Sequence, residues 1–153
     1  MKQLLLHLGF LALFLVAAQP AVASNPVIVG EISGVEVCAQ FLQCNAAVFT
    51  GTCDCEIDGR NTPGFFWVSV QHDPLPGPLL SSEILGGKWN LSTLRGSFSG
   101  KVINGSIFNK GDNTFIVTVR LRVQKGGNGD AIATGVLDHT EFPPTFEGKL
   151  VQP

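Results

Sequence analysis

Residues 114–124 alternate between apolar and polar side chains along nearly their whole length. Because successive side chains on a β-strand point to opposite faces, this segment is predicted to bury one face and expose the other. Only Ile116 breaks the alternation. The predicted buried face consists of Phe115, Val117, Val119, Leu121 and Val123.

The neighbouring segments repeat this pattern. The glycine-rich residues 125–129 predict a tight reversal into a strand over residues 131–138. No segment after residue 23 shows sustained helical periodicity. Further strands are predicted over residues 27–37, 65–73, 88–91, 95–103, 106–109 and 145–151, with Asn104-Gly105 as one of the hairpin turns. The sequence therefore predicts an all-β protein of antiparallel hairpins, either a small β-barrel or a two-sheet β-sandwich.

A short motif, Phe-x-Gly-x-apolar, occurs three times, beginning at Phe49, Phe98 and Phe146. At strand periodicity the three defined positions of each copy share one face. A glycine on a buried face lets a strand coil sharply or lets a neighbour approach closely, as barrels require. The motif therefore favours a barrel.

The first 23 residues have the anatomy of a secretory signal peptide. Lys2 precedes an apolar run over residues 4–18, and small residues at 21–23 precede a predicted cleavage before Ser24. The run is short for a membrane span of roughly 20 residues. We therefore expect a secreted, extracellular or periplasmic protein whose single domain covers residues 24–153.

The number and distribution of charged residues bear on which partners the domain can bind. Since Lys2 is the one charged residue before Ser24, the expected domain carries nine basic and twelve acidic residues. The basic residues are dispersed along the sequence, so we expect no nucleic-acid partner. We expect no membrane span after cleavage, no cofactor and no metal ion.

Four cysteines, Cys38, Cys44, Cys53 and Cys55, lie within 18 residues. In an exported protein such a cluster predicts disulfides, stapling the domain near its N-terminal end. Close neighbours in a strand rarely reach good disulfide geometry. We therefore expect Cys53 and Cys55 each to bond one of the other two, in either pairing. A zinc site of four thiolates is the alternative.

Candidate acid–base residues occur where two strands end. His72 precedes Asp73, and Asp138 and His139 are followed by Glu141. If these strand ends meet, the histidines could share a reacting centre with Asp138 or Glu141. The other interpretation is that the two histidines lie at the starts of loops, with their hydrogen bonds satisfied locally and with no catalytic role. We expect the loop after Asp138 to pack on the core through Phe142 and Phe146, with a cap-like hydrogen bond from Asp138 or Thr140.

Phe65 and Trp67 lie on the face of their strand opposite Phe66, Val68 and Val70. We expect both faces to be buried. If the Phe65 face is instead exposed, it forms an aromatic platform for a sugar ring or a protein partner. The absence of tyrosine weakens the sugar alternative. Asn90 and Asn104 head glycosylation acceptor sequences if the host is eukaryotic.

These observations predict a non-enzymatic extracellular binding or structural module, because no motif of a known catalytic class is present. One alternative is a small secreted hydrolase that uses His72 and His139 with Asp138 or Glu141. Another is a barrel that encloses a small apolar ligand, which requires an internal cavity of roughly 300 Å³.

Overall fold

The computed structural model describes residues 27–38 and 45–152, so the predicted signal peptide and Cys44 lie outside the described residues. Every regular element among these residues is a β-strand. The strands are β1 (Ile28–Cys38), β2 (Ala46–Ile57), β3 (Arg60–Asn61), β4 (Gly64–His72), β5 (Ser81–Thr93), β6 (Gly96–Asn109), β7 (Thr114–Lys125), β8 (Asp130–Asp138) and β9 (Thr145–Gln152).

Eight of the strands form a closed antiparallel barrel. The order around the ring is β1-β9-β8-β7-β6-β5-β4-β2, and the pairing of β1 with β2 closes it. The short β3 pairs only with the end of β2. The predicted all-β fold of antiparallel hairpins is therefore confirmed, and closure decides for the barrel over the sandwich.

Strand β7 lies within the ring as the alternation predicts. Its five alternating apolar residues, Phe115 to Val123, are all buried, whereas Ile116 faces outward. The barrel interior is filled by such side chains from every strand of the ring. The enclosed apolar space between Ile32, Phe49, Phe146 and their neighbours measures about 20 Å³. That is room for about one water molecule and lies far below the volume that an enclosed ligand requires.

The three Phe-x-Gly-x-apolar motifs lie on β2, β6 and β9, and each turns its phenylalanine into the barrel. Each glycine faces a main chain so closely that an added Cβ would overlap a carbonyl oxygen across the sheet. Gly51 and Gly148 are paired with further glycines, Gly34 and Gly135. The predicted role of these glycines, close approach of neighbouring strands, is confirmed.

One predicted turn, Asn104-Gly105, is not a turn. Strand β6 runs straight through Asn104 and Gly105, where the register with β7 shifts instead of reversing. Strand β5 likewise continues through Gly86 and Gly87, with a register shift against β4. Asparagine and glycine suit a bulge as well as a hairpin, so local chemistry did not distinguish them.

The predicted cysteine pairing is wrong for the half that the structure describes. The sulfur atoms of Cys53 and Cys55 lie at disulfide-bonding distance from each other, and both side chains are buried. Residues two apart on a strand share a face, and here their Cα atoms are 5.3 Å apart, within the range of a disulfide. The staple therefore lies within β2 rather than at the N-terminal end. Cys44 and the side chain of Cys38 lie outside the described residues.

Candidate functional site

His72 is the last residue of β4 and follows Phe66 and Val70 on the strand's inner face, so its side chain is buried. Its Nδ1 lies 2.5 Å from the main-chain oxygen of Asp73. A carbonyl oxygen only accepts hydrogen bonds, so Nδ1 is the donor in this contact. A surface groove of about 430 Å³ is lined by His72 and Asp73 but by neither His139 nor Glu141.

His139 follows the end of β8 and pairs with a carboxylate that the sequence did not single out. Its Nε2 lies 2.8 Å from Oε2 of Glu36, whose side chain is only 4% exposed. The imidazole also packs on Phe115, with ring centroids 4.9 Å apart. Glu36 could have been noticed as the one acidic residue in the inward-facing series that contains Ile28 and Ile32. The Glu36–His139 pair ties β1 to the loop after β8.

The Asp138 side chain forms hydrogen bonds within the loop that follows it. Its Oδ1 accepts hydrogen bonds from the main-chain nitrogen of Thr140, at 2.8 Å, and from the Thr140 hydroxyl. These bonds hold the pKa of the Asp138 carboxyl below its ordinary value. The expected cap-like hydrogen bond is therefore confirmed. The expected anchoring by Phe142 is wrong because this side chain is 91% exposed, whereas Phe146 is buried.

The two histidines lie at the same end of the barrel but on opposite sides of it. Three strands, β5, β6 and β7, separate β4 from β8 on one side, and β9, β1 and β2 separate them on the other. Each imidazole has a partner of its own, Asp73 for His72 and Glu36 for His139. Glu141 is exposed in the loop. The arrangement therefore supports two separate structural contacts better than one reacting centre.

The aromatic pair on β4 is exposed, which corrects the expectation that both faces of this strand are buried. Phe65 is 72% exposed and Trp67 is 41% exposed, while Phe66 between them points into the barrel. The strand belongs to a single closed layer, and the described residues provide no second sheet to cover its outer face. We call Phe65 and Trp67 the aromatic face.

The aromatic face is surrounded by short polar side chains. On β2, Thr52 and Thr50 are the register partners of Phe65 and Trp67. On β5 the corresponding partners are Ser92 and Asn90, and the Ser92 hydroxyl donates to Oδ1 of Asn90 at 2.9 Å. A surface groove of about 510 Å³ extends beside Phe65 and is walled by Pro63, Leu94, Thr52, Ser92 and Asp54, among others.

The described residues offer no group of three or more histidine, cysteine, aspartate or glutamate side chains placed to hold a metal ion. The disulfide between Cys53 and Cys55 removes two of the four thiolates that a zinc site would need. Over residues 27–38 and 45–152, no helix has the length and apolar character needed to cross a membrane.

Comparisons with models of known protein families, with curated proteins and with solved structures found no match to this chain. The class that the structure defines is a closed, eight-stranded antiparallel β-barrel with a filled interior. Its most prominent candidate site is the aromatic face on the outer surface of β4.

Proposed function

We propose that the protein is a non-enzymatic, exported binding module that recognises saccharides through the aromatic face of Phe65 and Trp67. The single observation that carries this proposal is the exposure of both rings on the outer face of β4. Large aromatic side chains that are exposed side by side leave apolar surface in contact with water, which is unfavourable. Such exposed patches often mark interaction sites.

The surroundings of the two rings favour a sugar over an apolar protein surface. A pyranose ring has one face of C–H groups, which stacks on an aromatic ring, and an edge of hydroxyl groups, which needs hydrogen-bond partners. Thr50, Thr52, Asn90 and Ser92 supply hydroxyl and amide groups on both sides of the rings. Phe65 and Trp67 provide the stacking surface in place of the tyrosine that the sequence lacks.

The filled barrel interior supports recognition on the outer surface rather than inside. The enclosed space of about 20 Å³ leaves no volume for a sugar or a small apolar ligand. Export to the cell exterior rests on the signal-like first 23 residues and is part of the proposal. The hydrolase alternative has no supporting arrangement, because His72 and His139 serve separate contacts.

The test is affinity electrophoresis of the protein through native gels that contain soluble polysaccharides, among them dextran, xylan, glucomannan and polygalacturonate. At least one polymer should retard the wild-type protein, and the double variant Phe65→Ala/Trp67→Ala should lose the retardation. Phe142→Ala is the matched control, since it removes an exposed ring at the other end of the barrel. Retardation that survives the double variant, or no retardation by any polymer, would overturn the proposal.

A further inference from the structure

A row of basic side chains crosses the outer surface of the barrel beside the aromatic face. Lys88 on β5 is the register partner of Lys101 on β6, and Lys101 is the partner of Arg122 on β7. All three side chains are exposed. Neighbouring strands lie about 4.8 Å apart, so the three Cα positions span roughly 10 Å. We call Lys88, Lys101 and Arg122 the basic row.

The basic row is unfavourable in the isolated protein. Like charges directly opposite each other on neighbouring strands repel, and here two such pairs follow one another. Asp130 binds Arg122 and Arg120 at one end of the row. Neither Lys88 nor Lys101 makes an ion pair within the described part of the chain. An anion lying across the two lysines would relieve the repulsion that the fold leaves in place.

The basic row and the aromatic face belong to one continuous surface. Ser69, the β4 partner of Lys88, lies two residues beyond Trp67 on the same face. Two residues along a strand measure about 7 Å. The row through Trp67 continues across Asn90 and Ser99 to Lys125, parallel to the basic row. A sugar stacked on Trp67 therefore lies about one sugar ring away from the basic row.

We propose that this surface, formed by β4, β5, β6 and β7, binds an acidic polysaccharide. The aromatic face stacks on a sugar ring, and the basic row pairs with carboxylate or sulfate groups on the same or the next sugar. This inference rests on the proposed saccharide-binding function and names the ligand class for that site. Charge complementarity supports it, because Lys and Arg side chains are the natural partners of such anions.

The charges on the opposite side of the barrel also favour an acidic polysaccharide as the ligand. In the ring β1 lies across from β6, and its outer surface with β2 and β9 is acidic. Glu31 is the register partner of Asp54 on β2 and of Lys149 on β9. Glu56 and Glu147 lie nearby on the same surface, so acidic side chains outnumber the single lysine there. A polyanion is repelled from this side and attracted to the other. The charge distribution therefore favours an acidic polymer on the part of the surface formed by β5, β6 and β7, on the side of the aromatic face away from Asp54.

The test compares dextran with dextran sulfate, which differ in charge and share a backbone, and adds duplex DNA as a polyanion without pyranose rings. At low ionic strength we expect dextran sulfate to bind the wild-type protein at least about tenfold more tightly than dextran. Added salt should reduce that preference. The variant Lys88→Gln/Lys101→Gln should lose the preference and keep its affinity for dextran or for the neutral polymer found above. Lys149→Gln, which removes one exposed lysine from the acidic side, should change the affinities less than about twofold.

The outcomes separate this inference from the proposed function. If the wild-type protein binds dextran and dextran sulfate with equal affinity, the acidic-polysaccharide inference is overturned. The saccharide function still holds in that case, provided that Phe65→Ala/Trp67→Ala binds neither polymer. If Phe65→Ala/Trp67→Ala binds dextran sulfate as tightly as the wild-type protein does, the saccharide function is overturned. Binding of duplex DNA as tight as that of dextran sulfate overturns the inference, because the surface would then recognise charge alone. Failure to bind any of the polymers overturns both.

Discussion

The indole nitrogen of Trp89 donates a hydrogen bond of 3.0 Å to the main-chain oxygen of Arg122, two strands away. Trp89 is buried on β5, and its direct partner on β6 is Gly100, the glycine of the second Phe-x-Gly-x-apolar motif. Because Gly100 has no side chain, the indole can pass over it and reach β7. The register between β6 and β7 shifts at this point. One glycine thus makes room for a hydrogen bond between strands that are not neighbours.

We expect Gly100→Ala to lower the free energy of unfolding by about 1–3 kcal/mol, as overpacking of an interior does. The added Cβ would overlap the main-chain oxygen of Arg122, the same atom that accepts the indole hydrogen bond. Urea denaturation followed by circular dichroism measures the change. Gly77→Ala is the control, since its Cβ would meet only Leu80 at an ordinary 3.6 Å. Equal stabilities for the two variants would contradict the role assigned to Gly100.

Val119→Asp should abolish cooperative folding. Val119 is buried next to the small interior cavity, so the carboxylate would lose its hydration without gaining a partner. Thr118→Lys, one residue away on the outer face, should change stability by no more than about 0.5 kcal/mol. Thermal unfolding of both variants checks this. A soluble Val119→Asp protein with a sharp transition would show that this face of β7 is not the interior.

The two tryptophans should respond differently to a soluble quencher. Trp67 is partly exposed on the aromatic face, whereas Trp89 is buried in the barrel. Acrylamide should therefore quench one fraction of the native fluorescence efficiently and the other poorly. In Trp67→Phe the accessible fraction should disappear and the emission should move to shorter wavelength. A retained accessible fraction in that variant would place Trp89 near solvent. In the wild-type protein, a polysaccharide that binds at the aromatic face should protect Trp67 from the quencher.

The Asp130 carboxylate should stabilise the fold only above acidic pH. Hydrogen bonds first from Arg122, and also from Arg120, hold the pKa of Asp130 below its ordinary value of 3.8. A depressed folded-state pKa means that the contribution is complete above the ordinary value. It is lost as the pH falls through the folded-state value. Asp130→Asn should therefore reduce the decline of stability on acidification, measured as urea midpoints between neutral and strongly acidic pH. An unchanged pH profile would mean that these ion pairs contribute nothing.

The cysteines and the Asn104-Gly105 segment show where local sequence patterns fail. Asn104-Gly105 has the composition of a hairpin turn, yet β6 continues through it because β5 and β7 pair with it on both sides. Cys53 and Cys55 were expected to form disulfides with Cys38 and Cys44. Their shared face and the local strand geometry instead bring them together. For Asn104-Gly105 the deciding information is the path of the neighbouring strands, which a single segment does not contain. For the cysteines it is the local geometry that β2 adopts.

The sequence alone determined which faces are apolar, because strand periodicity depends only on neighbouring residues. It therefore predicted an all-β fold, the inward residues of β7 and the close approach of strands at the glycines of the repeated motif. Tertiary structure alone decided what lies side by side on the surface. Lys88, Lys101 and Arg122 are dispersed along the chain, and Glu36 is far from His139, but strand register unites each set. Register results from closing eight strands around one interior, which is a property of the whole barrel and of no single segment.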